Sequence, residues 1–322
     1  MAQPAPVDEL LAVAHVVSVP LRVAFRGVRE REALLLQGPV GWGEFSPFLE
    51  YDDAEAARWL ACAVEAAWTG WPETQRSSIP VNATVPAVEA DVVPAVLQRF
   101  PGCTTAKVKV AERGQSLDDD VARVRAVRSA LGDGGRIRVD ANGGWSVEQA
   151  VRALEALAPF GLEYAEQPCA SVAELASLRR GGCPVPVAAD ESVRKADDPL
   201  RVALAGAADV VVLKAAPLGG VARALDVARA CGLPVVVSSA LDTSVGIAAG
   251  LALAAALPEL PYACGLATTG LMTADVASLP VVEGRLPVGP VVPDGARLAE
   301  LAAAPERVRW WHERLRRCAD LL

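Results

Sequence analysis

The residues of this sequence that could do chemistry are lysines and carboxylates near the ends of short apolar runs. Six of them follow one another along the chain: Lys107, Lys109, Asp140, Glu166, Asp190 and Lys214. The two histidines, His15 and His312, lie near the chain ends, so they offer nothing to this middle region. Carboxylate oxygens without histidine or cysteine suit a hard cation, Mg²⁺ first and Mn²⁺ as the alternative. We therefore expect the three carboxylates to bind a divalent cation, with lysines on opposite sides of it.

A cation between lysines suits the removal of a proton from the carbon next to a carboxylate. Such a proton is very weakly acidic, and a nearby cation stabilises the negative charge that develops on the substrate. A lysine can be the base only if its pKa falls from about 10.4 towards neutrality. The cation and the ammonium group of Lys107, two residues earlier, would both lower the pKa of Lys109. We therefore predict that Lys109 is the base.

Two other interpretations of these charged residues stay open. They could form structural ion pairs, but buried charges are costly unless they are paired or bind a metal. Their recurrence at one depth on successive runs makes that explanation poor for the whole set. Lys214 could instead be the nucleophile of a metal-free enzyme that forms a Schiff base with its substrate. Borohydride trapping with substrate would reveal that mechanism, and inactivation by a chelator would exclude it.

The elements that would position these residues alternate between strand and helix from about residue 79 to 267. Val and Ile enrichment marks each apolar run as a buried strand, and apolar residues at helical spacing follow it. The eight runs are 79–85, 105–111, 136–142, 162–168, 185–191, 209–215, 233–240 and 262–267. Eight alternations predict a closed parallel barrel with its active site at the C-terminal ends of the strands. The alternative, a doubly wound open sheet, gives no reason for charges at so many strand ends.

The two ends of the chain do not follow this alternation. Residues 1–78 contain two strand-like runs, VSVPLRVAF and EALLLQG, and then the helical segment DAEAARWLACAVEAAW. Residues 281–322 are irregular at first and end in a helix rich in Arg and Trp. We predict a capping α+β domain built from 1–78 and the returning segment 281–322. It would pack tightly against a catalytic barrel at 79–280.

Five motifs, in order along the chain, resemble the enolase superfamily. They are KVK in the second run, VDANGGW in the third, EQP in the fourth, ADES in the fifth and VVLK in the sixth. The resemblance covers the whole barrel and implies an α/β fold, an enolase-type modified (β/α) TIM barrel with an α+β capping domain. It also implies that Asp140, Glu166 and Asp190 are Mg²⁺ ligands. Lys109 and Lys214 would be the catalytic lysines, on opposite faces of the substrate.

Within that superfamily the chain most resembles the o-succinylbenzoate synthases of menaquinone biosynthesis. These are hydro-lyases that dehydrate 2-succinyl-6-hydroxy-2,4-cyclohexadiene-1-carboxylate through an enediolate. The segments GWGEFSPFLEYDDAEAARWL and SSALDTSVGIAAGLALAAALP look like the short actinobacterial-type synthases. The eighth run ends in CGLATTG and lacks the Asp-x-Asp of dipeptide epimerases. N-acylamino-acid racemases, dipeptide epimerases and muconate cycloisomerases share the metal and lysine set, so a racemisation remains the alternative.

Four further residues are candidates for substrate binding: Lys107, Arg138, Ser238 and Ser239. Arg138 lies two residues before Asp140 and should face the same interior, where the resemblance implies that it binds a substrate carboxylate. Its alternative is an ion pair with a neighbouring carboxylate.

The two serines precede a helix that should start at Asp242 or Thr243. Free N–H groups there could hold the succinyl carboxylate, although simple N-capping is at least as good an explanation. A second turn, GGVARAL after Lys214, could bind phosphate, but we prefer a plain turn into a helix.

Composition and charge exclude several partners and locations. The net charge of −8 argues against nucleic acid and anionic membranes, because both need a basic face. The most apolar stretch, Val245 to Leu257, is too short to cross a membrane and predicts a buried helix. Seven scattered cysteines without a CxxC pair indicate reduced thiols, and Asp8 and Glu9 do not suit a secretory signal. We therefore predict a cytoplasmic enzyme acting on a small carboxylate, with its oligomeric state left open.

Overall fold

The computed structural model of the protein describes residues 5–25, 27–194 and 201–322. Its strands are β1 (Ala14–Phe25), β2 (Val28–Gln37), β3 (Trp42–Phe45), β4 (Ser78–Pro80), β5 (Ala83–Val85), β6 (Thr105–Lys109), β7 (Arg136–Asp140), β8 (Leu162–Glu166), β9 (Val187–Ala189), β10 (Val210–Leu213), β11 (Val235–Val237) and β12 (Arg285–Pro287). Its helices are α1 (Val7–Ala12), α2 (Asp53–Val64), α3 (Val93–Leu97), α4 (Leu117–Leu131), α5 (Val147–Leu157), α6 (Val172–Arg180), α7 (Glu191–Arg194), α8 (Arg201–Leu204), α9 (Ala215–Leu218), α10 (Val221–Cys231), α11 (Ser244–Ala256), α12 (Gly295–Glu300) and α13 (Pro305–Ala319).

A curved parallel sheet forms the middle of the molecule. In the described ranges its strands run in the order β11-β10-β9-β8-β7-β6-β5. β6, β10 and β11 are buried along their whole length, as expected for a parallel sheet with covered faces. The helices that follow β6, β7 and β8 each begin with a capping box, which ends the preceding loop at a defined residue. The sequence thus specifies where each loop after a site strand stops.

The eighth predicted run does not form a strand. Within 262–267, Cys264 makes a parallel bridge to Val81, and Gly265 makes one to Ser238. Gly265 approaches its partner so closely that an added Cβ would lie 2.5 Å from the Ser238 Oγ. Two residues, rather than a full strand, therefore close the ring between the first and last strands. The predicted α/β barrel is confirmed, with this bridging segment in place of the eighth strand.

The first predicted run is divided between two sheets. β4 pairs antiparallel with β12, and only β5 joins the barrel, next to β6. Pro80, the last residue of β4, has no N–H to donate to a neighbouring barrel strand. Its carbonyl instead accepts a hydrogen bond from the Cys264 N–H at 2.7 Å.

We call the antiparallel sheet β1-β2-β3 together with α1, α2 and α13 the capping layer. The sheet order and register follow from a hairpin between β1 and β2 and a second antiparallel pairing with β3. Phe45, Trp59 and Trp311 pack in a core of its own, in which the Phe45 and Trp311 rings meet edge to face at 5.6 Å. The domain bounds 1–78, 79–280 and 281–322 stay a prediction.

The apolar stretch after residue 243 forms α11, and nearly all of its residues are buried. The predicted buried helix is therefore confirmed. Among the described residues no helix is both long and apolar enough to cross a bilayer.

Candidate active site

The predicted site residues lie at the C-terminal ends of five neighbouring barrel strands. Lys109, Asp140 and Glu166 are the last residues of β6, β7 and β8, and Asp140 is paired in register with both of the others. Asp190 directly follows β9, and Lys214 directly follows β10. All five side chains are buried. Because parallel strands end at one edge of the sheet, the register alone brings these groups together.

The first half of the site is a cluster of two lysines and two carboxylates. Lys107 Nζ lies 2.7 Å from Glu166 Oε1 and 3.1 Å from Asp140 Oδ2. Lys109 Nζ donates to Asp140 Oδ2 and to Asn142 Oδ1, each at 2.5 Å. Asn142 has a φ of +46°, a left-handed conformation that asparagine tolerates better than most residues. The strand periodicity of the sequence places Asn142, in the VDANGGW motif, on the face of Arg138 and Asp140, but it gives Asn142 no role.

The second half of the site is the pair of Lys214 and Asp190, whose Nζ and Oδ2 atoms are 2.6 Å apart. Three strands, β7, β8 and β9, separate the strand of Lys109 from that of Lys214. In a curved sheet, this separation makes the two ammonium groups approach the site from opposite sides. That is the arrangement that the sequence predicts for the paired lysines.

Gln167 holds the loop that carries Asp190. Its side-chain oxygen accepts from the N–H groups of Asp190 and Ser192 at 2.9 and 3.1 Å. Its Nε2 donates to the Ser192 hydroxyl and to the Cys169 carbonyl at 2.7 and 2.9 Å. All four hydrogen-bonding positions of this buried amide are therefore used. The EQP motif contains Gln167, but nothing in the sequence alone reveals the partners of its side chain.

Burial and neighbouring charges shift the pKa values of Glu166 and Asp140, the two carboxyl groups of the first half, in opposite directions. Burial, together with the charge of Asp140, raises the pKa of Glu166 to about 7. Burial would raise the pKa of Asp140 too, but the ammonium groups of Lys107 and Lys109 hold it well below its usual range. Asp140 is therefore firmly ionised, and Glu166 is the carboxyl group that most needs an added positive charge.

The pKa values of the two lysines of β6 are also shifted in opposite directions. Burial lowers the pKa of Lys109, and the charge of Lys107 adds to this effect while Asp140 opposes it. Burial alone would lower the pKa of Lys107 as well, but Asp140 and Glu166 raise it well above its ordinary value. Lys109 is thus shifted in the direction that a general base requires.

The donor set suits a hard divalent cation, but lysines stand between the carboxylates. Within 5–25, 27–194 and 201–322, no three His, Cys, Asp or Glu side chains are arranged to enclose a metal ion. The expectation that the three carboxylates converge without a cation is therefore not met. The reason is electrostatic: Asp140 and Glu166 share the ammonium group of Lys107, and Asp190 is paired with Lys214. Asp140 and Glu166, which share one ammonium group, still provide the buried oxygen donors that a Mg²⁺-type ion needs.

A cavity of about 30 Å³, enough for about one water molecule, is lined by the three lysines and Asp140, whereas Glu166 and Asp190 are not among its lining residues. Phe25 and Phe48 of the capping layer cover it. The Phe25 ring centroid lies 5.1 Å from Lys109 Nζ, and Phe25 also lines a neighbouring cavity of about 310 Å³. Lys109 and Asn142 line both cavities as well, so the two spaces are neighbours across these three residues. Thr84 also lines the small cavity, and its buried hydroxyl has no hydrogen-bond partner among the described residues.

The prediction that Arg138 faces the cavity is wrong. Its guanidinium is fully buried and donates to Glu163 Oε2 at 2.5 Å and to the Ala263 carbonyl at 2.6 Å. It also lies over the Tyr164 ring at 4.8 Å, and it is not among the residues that line the cavity. The alternation of a strand gives the face of a residue but not its depth, and Arg138 is about 6.6 Å further down the strand than Asp140. The alternative interpretation, an ion pair with a neighbouring carboxylate, is the observed one.

Ser238 and Ser239 both line the cavity, as the substrate-binding prediction requires. The Ser239 hydroxyl donates to the Gly265 carbonyl at 2.9 Å and lies 2.8 Å from the Thr268 hydroxyl. These contacts attach the serines to the bridging segment that closes the barrel.

The N–H groups at the start of α11 are not available to a substrate. Thr243 and Gly246 donate theirs to the Glu44 carboxylate at 3.1 and 2.9 Å, and Ser244 donates to Asp275 at 3.1 Å. Of the two explanations left open for these groups, N-capping is the observed one: the Thr243 side chain accepts from the Val245 N–H, and carboxylates of the protein accept from the others.

The turn GGVARAL shows the same feature at the start of α10. The Glu65 carboxylate accepts from the N–H groups of Val221 and Ala222 at 2.6 and 3.0 Å. The preference for a plain turn over a phosphate site thus holds. Both capping carboxylates, Glu44 and Glu65, come from distant parts of the chain, and sequence analysis missed them.

Comparison with known proteins agrees with this geometry. Residues 16–67 match the family model described as enolase N-terminal domain-like, and 91–295 match enolase C-terminal domain-like. The chain is 60% identical over 317 residues to the o-succinylbenzoate synthase of Mycolicibacterium smegmatis, covering 98% of each sequence. It is also 60% identical to the o-succinylbenzoate synthase of Mycobacterium leprae, covering 98% of this chain and 93% of that one.

Two solved structures have the same fold. Muconate lactonizing enzyme from Pseudomonas putida matches with a TM-score of 0.74 at 21% identity, covering 90% of this chain and 98% of that one. The L-Ala-D/L-Glu epimerase from Bacillus subtilis matches with a TM-score of 0.74 at 24% identity, covering 87% and 96%. Enzymes of this superfamily depend on a divalent metal ion. The chain therefore belongs to the enolase superfamily and, within it, to the family of the o-succinylbenzoate synthases.

Proposed function

We propose that this chain is an o-succinylbenzoate synthase, a hydro-lyase of menaquinone biosynthesis. It would convert 2-succinyl-6-hydroxy-2,4-cyclohexadiene-1-carboxylate to 2-succinylbenzoate by loss of water. The observation that carries the proposal is a pair of buried lysines on opposite sides of three buried carboxylates. The chain that contains them is 57–60% identical over nearly its whole length to synthases of that name.

We assign Asp140, Glu166 and Asp190 as the ligands of a divalent cation, with Mg²⁺ as the ion and Mn²⁺ as its alternative. Supporting this, the three carboxylates are buried at one edge of the sheet, and a lysine pairs with each of them. A cation held there would supply positive charge beside the substrate carboxylate as its α-carbon loses a proton.

Lys109 removes the α-proton in this proposal. Its pKa is lowered by burial, and Asn142 and Asp140 hold its Nζ in one place. The C–H electron pair moves into the carboxylate as an enediolate and then forms the new ring double bond as the C–O bond breaks. The proton on Lys109 Nζ leaves with the hydroxyl group, which makes the elimination syn and restores the neutral amine.

Lys214 keeps its proton throughout. Asp190 holds its ammonium group on the side of the site opposite Lys109. A cation there can stabilise the flat, electron-rich intermediate through its face, by about 2 kcal/mol when the pair is desolvated.

The substrate carboxylates bind Lys107, Ser238 and Ser239 in this proposal, because all three line the cavity. Arg138 has no part in it. Phe25 and Phe48 cover the cavity, so the reaction proceeds away from bulk water once the substrate is enclosed.

The test is to incubate the protein with Mg²⁺ and the cyclohexadiene substrate and to follow the loss of water by ultraviolet absorbance. We expect turnover that a chelator abolishes and that added Mg²⁺ restores. Borohydride with substrate should leave Lys214 unmodified. Racemisation of N-acylamino acids without any dehydration would contradict the proposal and favour the racemase alternative.

We also place the enzyme in the cytoplasm, which the seven free thiols support because disulfides are rare there.

A further inference from the structure

One wall of the active-site cavity is the segment 238–241, which connects β11 to α11. Leu241 in this wall has a φ of +65° and is almost completely buried. A leucine adopts this left-handed backbone only at an energetic cost, because its Cβ crowds the neighbouring carbonyl. Something outside the segment must therefore hold it.

Arg31 of β2 supplies that restraint from the capping layer. Its side chain is buried, and its Nε donates to the Leu241 carbonyl at 3.1 Å. Its Nη2 donates to the Ser46 carbonyl, and at 3.4 Å to the Ala240 carbonyl. The guanidinium also lies 4.5 Å from the ring centroid of Phe48, which itself lines the cavity. One arginine thus joins two parts of the cavity lining that come from different layers of the molecule.

Glu44 of β3 holds the other end of the segment. Its carboxylate accepts from the Thr243 hydroxyl and N–H at 2.5 and 3.1 Å and from the Gly246 N–H at 2.9 Å. The Ser46 hydroxyl donates to its second oxygen at 2.6 Å. Position 246 must be glycine for this approach, since an added Cβ would lie 2.9 Å from the Glu44 carboxyl carbon. The contact therefore depends on both sides, on the carboxylate at position 44 and on the glycine at position 246.

Arg31 and Glu44 do not touch the cavity themselves, and neither is among its lining residues. We infer that they are positioning residues that set the affinity of the site for its carboxylate substrate. They do so by holding the wall 238–241 and the start of α11 in place from the capping layer. This inference rests on the proposed function, since it concerns the same substrate.

Glu65 provides the contrast that makes the inference testable. It too caps a barrel helix, with hydrogen bonds to Val221 and Ala222, and it also lies beside a glycine that a Cβ could not replace. However, the start of α10 does not line the cavity. A role in general attachment of the two layers would make Glu44 and Glu65 equivalent, whereas a positioning role would not.

The experiment compares Glu44→Gln with Glu65→Gln in the full-length protein with Mg²⁺. The KM and kcat for dehydration, the Kd for 2-succinylbenzoate by calorimetry and the Tm are measured for each. We expect Glu44→Gln to raise both KM and Kd about tenfold, with kcat near that of the unaltered protein. Glu65→Gln should lower the Tm comparably and leave KM and Kd unchanged. Equal KM values in the two variants, whether raised or not, would overturn the inference.

Two further variants keep the test decisive if Glu44→Gln does not fold. Arg31→Lys retains the charge but loses the fork that reaches two carbonyls, so KM should rise while kcat is maintained. Ser46→Ala removes the hydroxyl that donates to Glu44 and accepts from Arg31 but leaves both positioning residues in place, so it should produce a smaller rise in KM. Folded variants with unchanged KM would contradict this inference but not the proposed function. Absence of both turnover and product binding in the unaltered protein would instead refute the proposed function.

Discussion

Two sets of ion pairs lie in one barrel, at different heights along neighbouring strands. In the lower set, Arg138 is paired with Glu163 and also donates to a backbone carbonyl. In the upper set, Lys107 is shared by two carboxylates, and Lys109 and Lys214 each bind one. A planar guanidinium with several defined partners is suited to one arrangement, whereas an ammonium group on a flexible stem can exchange partners. The lower set should therefore serve stability, and the upper set should serve chemistry.

The largest effect should come from removing a ligand in the upper set. Glu166→Gln should lower turnover at least about 100-fold, because an electrostatic contact that acts in the transition state is lost. It should also abolish the rise in Tm that Mg²⁺ produces in the unaltered protein by binding only the folded state. The fold should persist, since the hydrophobic core does not depend on this residue. Activity and thermal unfolding with and without Mg²⁺ check both expectations.

The matched control is Glu148→Gln, the same substitution on an exposed side chain in α5. It should retain turnover and the Mg²⁺-dependent rise in Tm. A Glu166→Gln variant that keeps that rise would remove this carboxylate from the metal site.

A smaller and more selective effect should separate the two lysines of the upper set. Lys109→Ala should eliminate dehydration and also the exchange of the substrate α-proton with deuterated water, because the base is gone. Lys214→Arg keeps a cation opposite the base, so it should retain more activity than Lys109→Arg. Steady-state rates and proton exchange followed by NMR are the measurements. Equal and complete loss in both arginine variants, with folding and metal binding intact, would count against a single base.

The upper set could be predicted from the sequence, and the lower set could not, for a definite reason. Strand periodicity assigns Lys109, Asp140 and Glu166 to the interior, and the end of each apolar run assigns them to the rim. For Arg138 the same periodicity predicted the face correctly but not the depth, and depth decides whether a residue meets substrate. The strand order of the barrel followed from the alternation of strands and helices. The bridging segment at Gly265 did not, because its geometry depends on contact with Ser238.

Contacts between the capping layer and the barrel could not be predicted from the sequence either. Glu44 and Thr243 are 199 residues apart in the chain, and nothing local to either indicates the other. The helix start at Asp242 or Thr243 was predicted correctly. Whether its N–H groups bind substrate or are capped within the protein stayed open, because a sequence shows that such groups need a partner and not which partner they have.

The lower set should respond to mutation in stability rather than in catalysis. Arg138→Met should lower the free energy of unfolding by about 1–3 kcal/mol, because the buried Ala263 carbonyl loses its donor, while the partly exposed Glu163 keeps its ion pair with Arg136. KM should be unchanged in the folded fraction. Denaturant unfolding and kinetics measured on the same preparation test this.

Replacing both partners, Arg138→Met with Glu163→Leu, should restore only part of that stability, since an apolar pair replaces the ion pair but the Ala263 carbonyl still lacks its donor. A rise in KM without any loss of stability would return Arg138 to the substrate site.

The smallest expected effect is a change in how stability depends on pH. Burial and the charge of Asp242 raise the pKa of Glu44 from 4.5 to about 7, against the hydrogen bonds from Ser46 and Thr243 and the charge of Arg31. A carboxyl group whose pKa is higher in the folded chain binds more protons when folded. Its contribution to stability is therefore complete below pH 4.5 and is lost as the pH rises through about 7.

As the pH rises from 5 to 8, the loss of this contribution should lower the Tm of the unaltered protein. Glu44→Gln should make this fall in Tm shallower. Asp242, whose own pKa is raised by burial, remains in the variant, so the fall should become shallower and not disappear. Asp53→Asn is the control, because Arg317 lowers the pKa of Asp53 below 3.8 and its titration lies outside this range. Its pH profile should run parallel to that of the unaltered protein. If the pH profile of Glu44→Gln is also parallel to that of the unaltered protein, Glu44 is ionised across the whole range. The hydrogen bonds from Thr243 and Gly246 then lower its pKa by more than burial raises it.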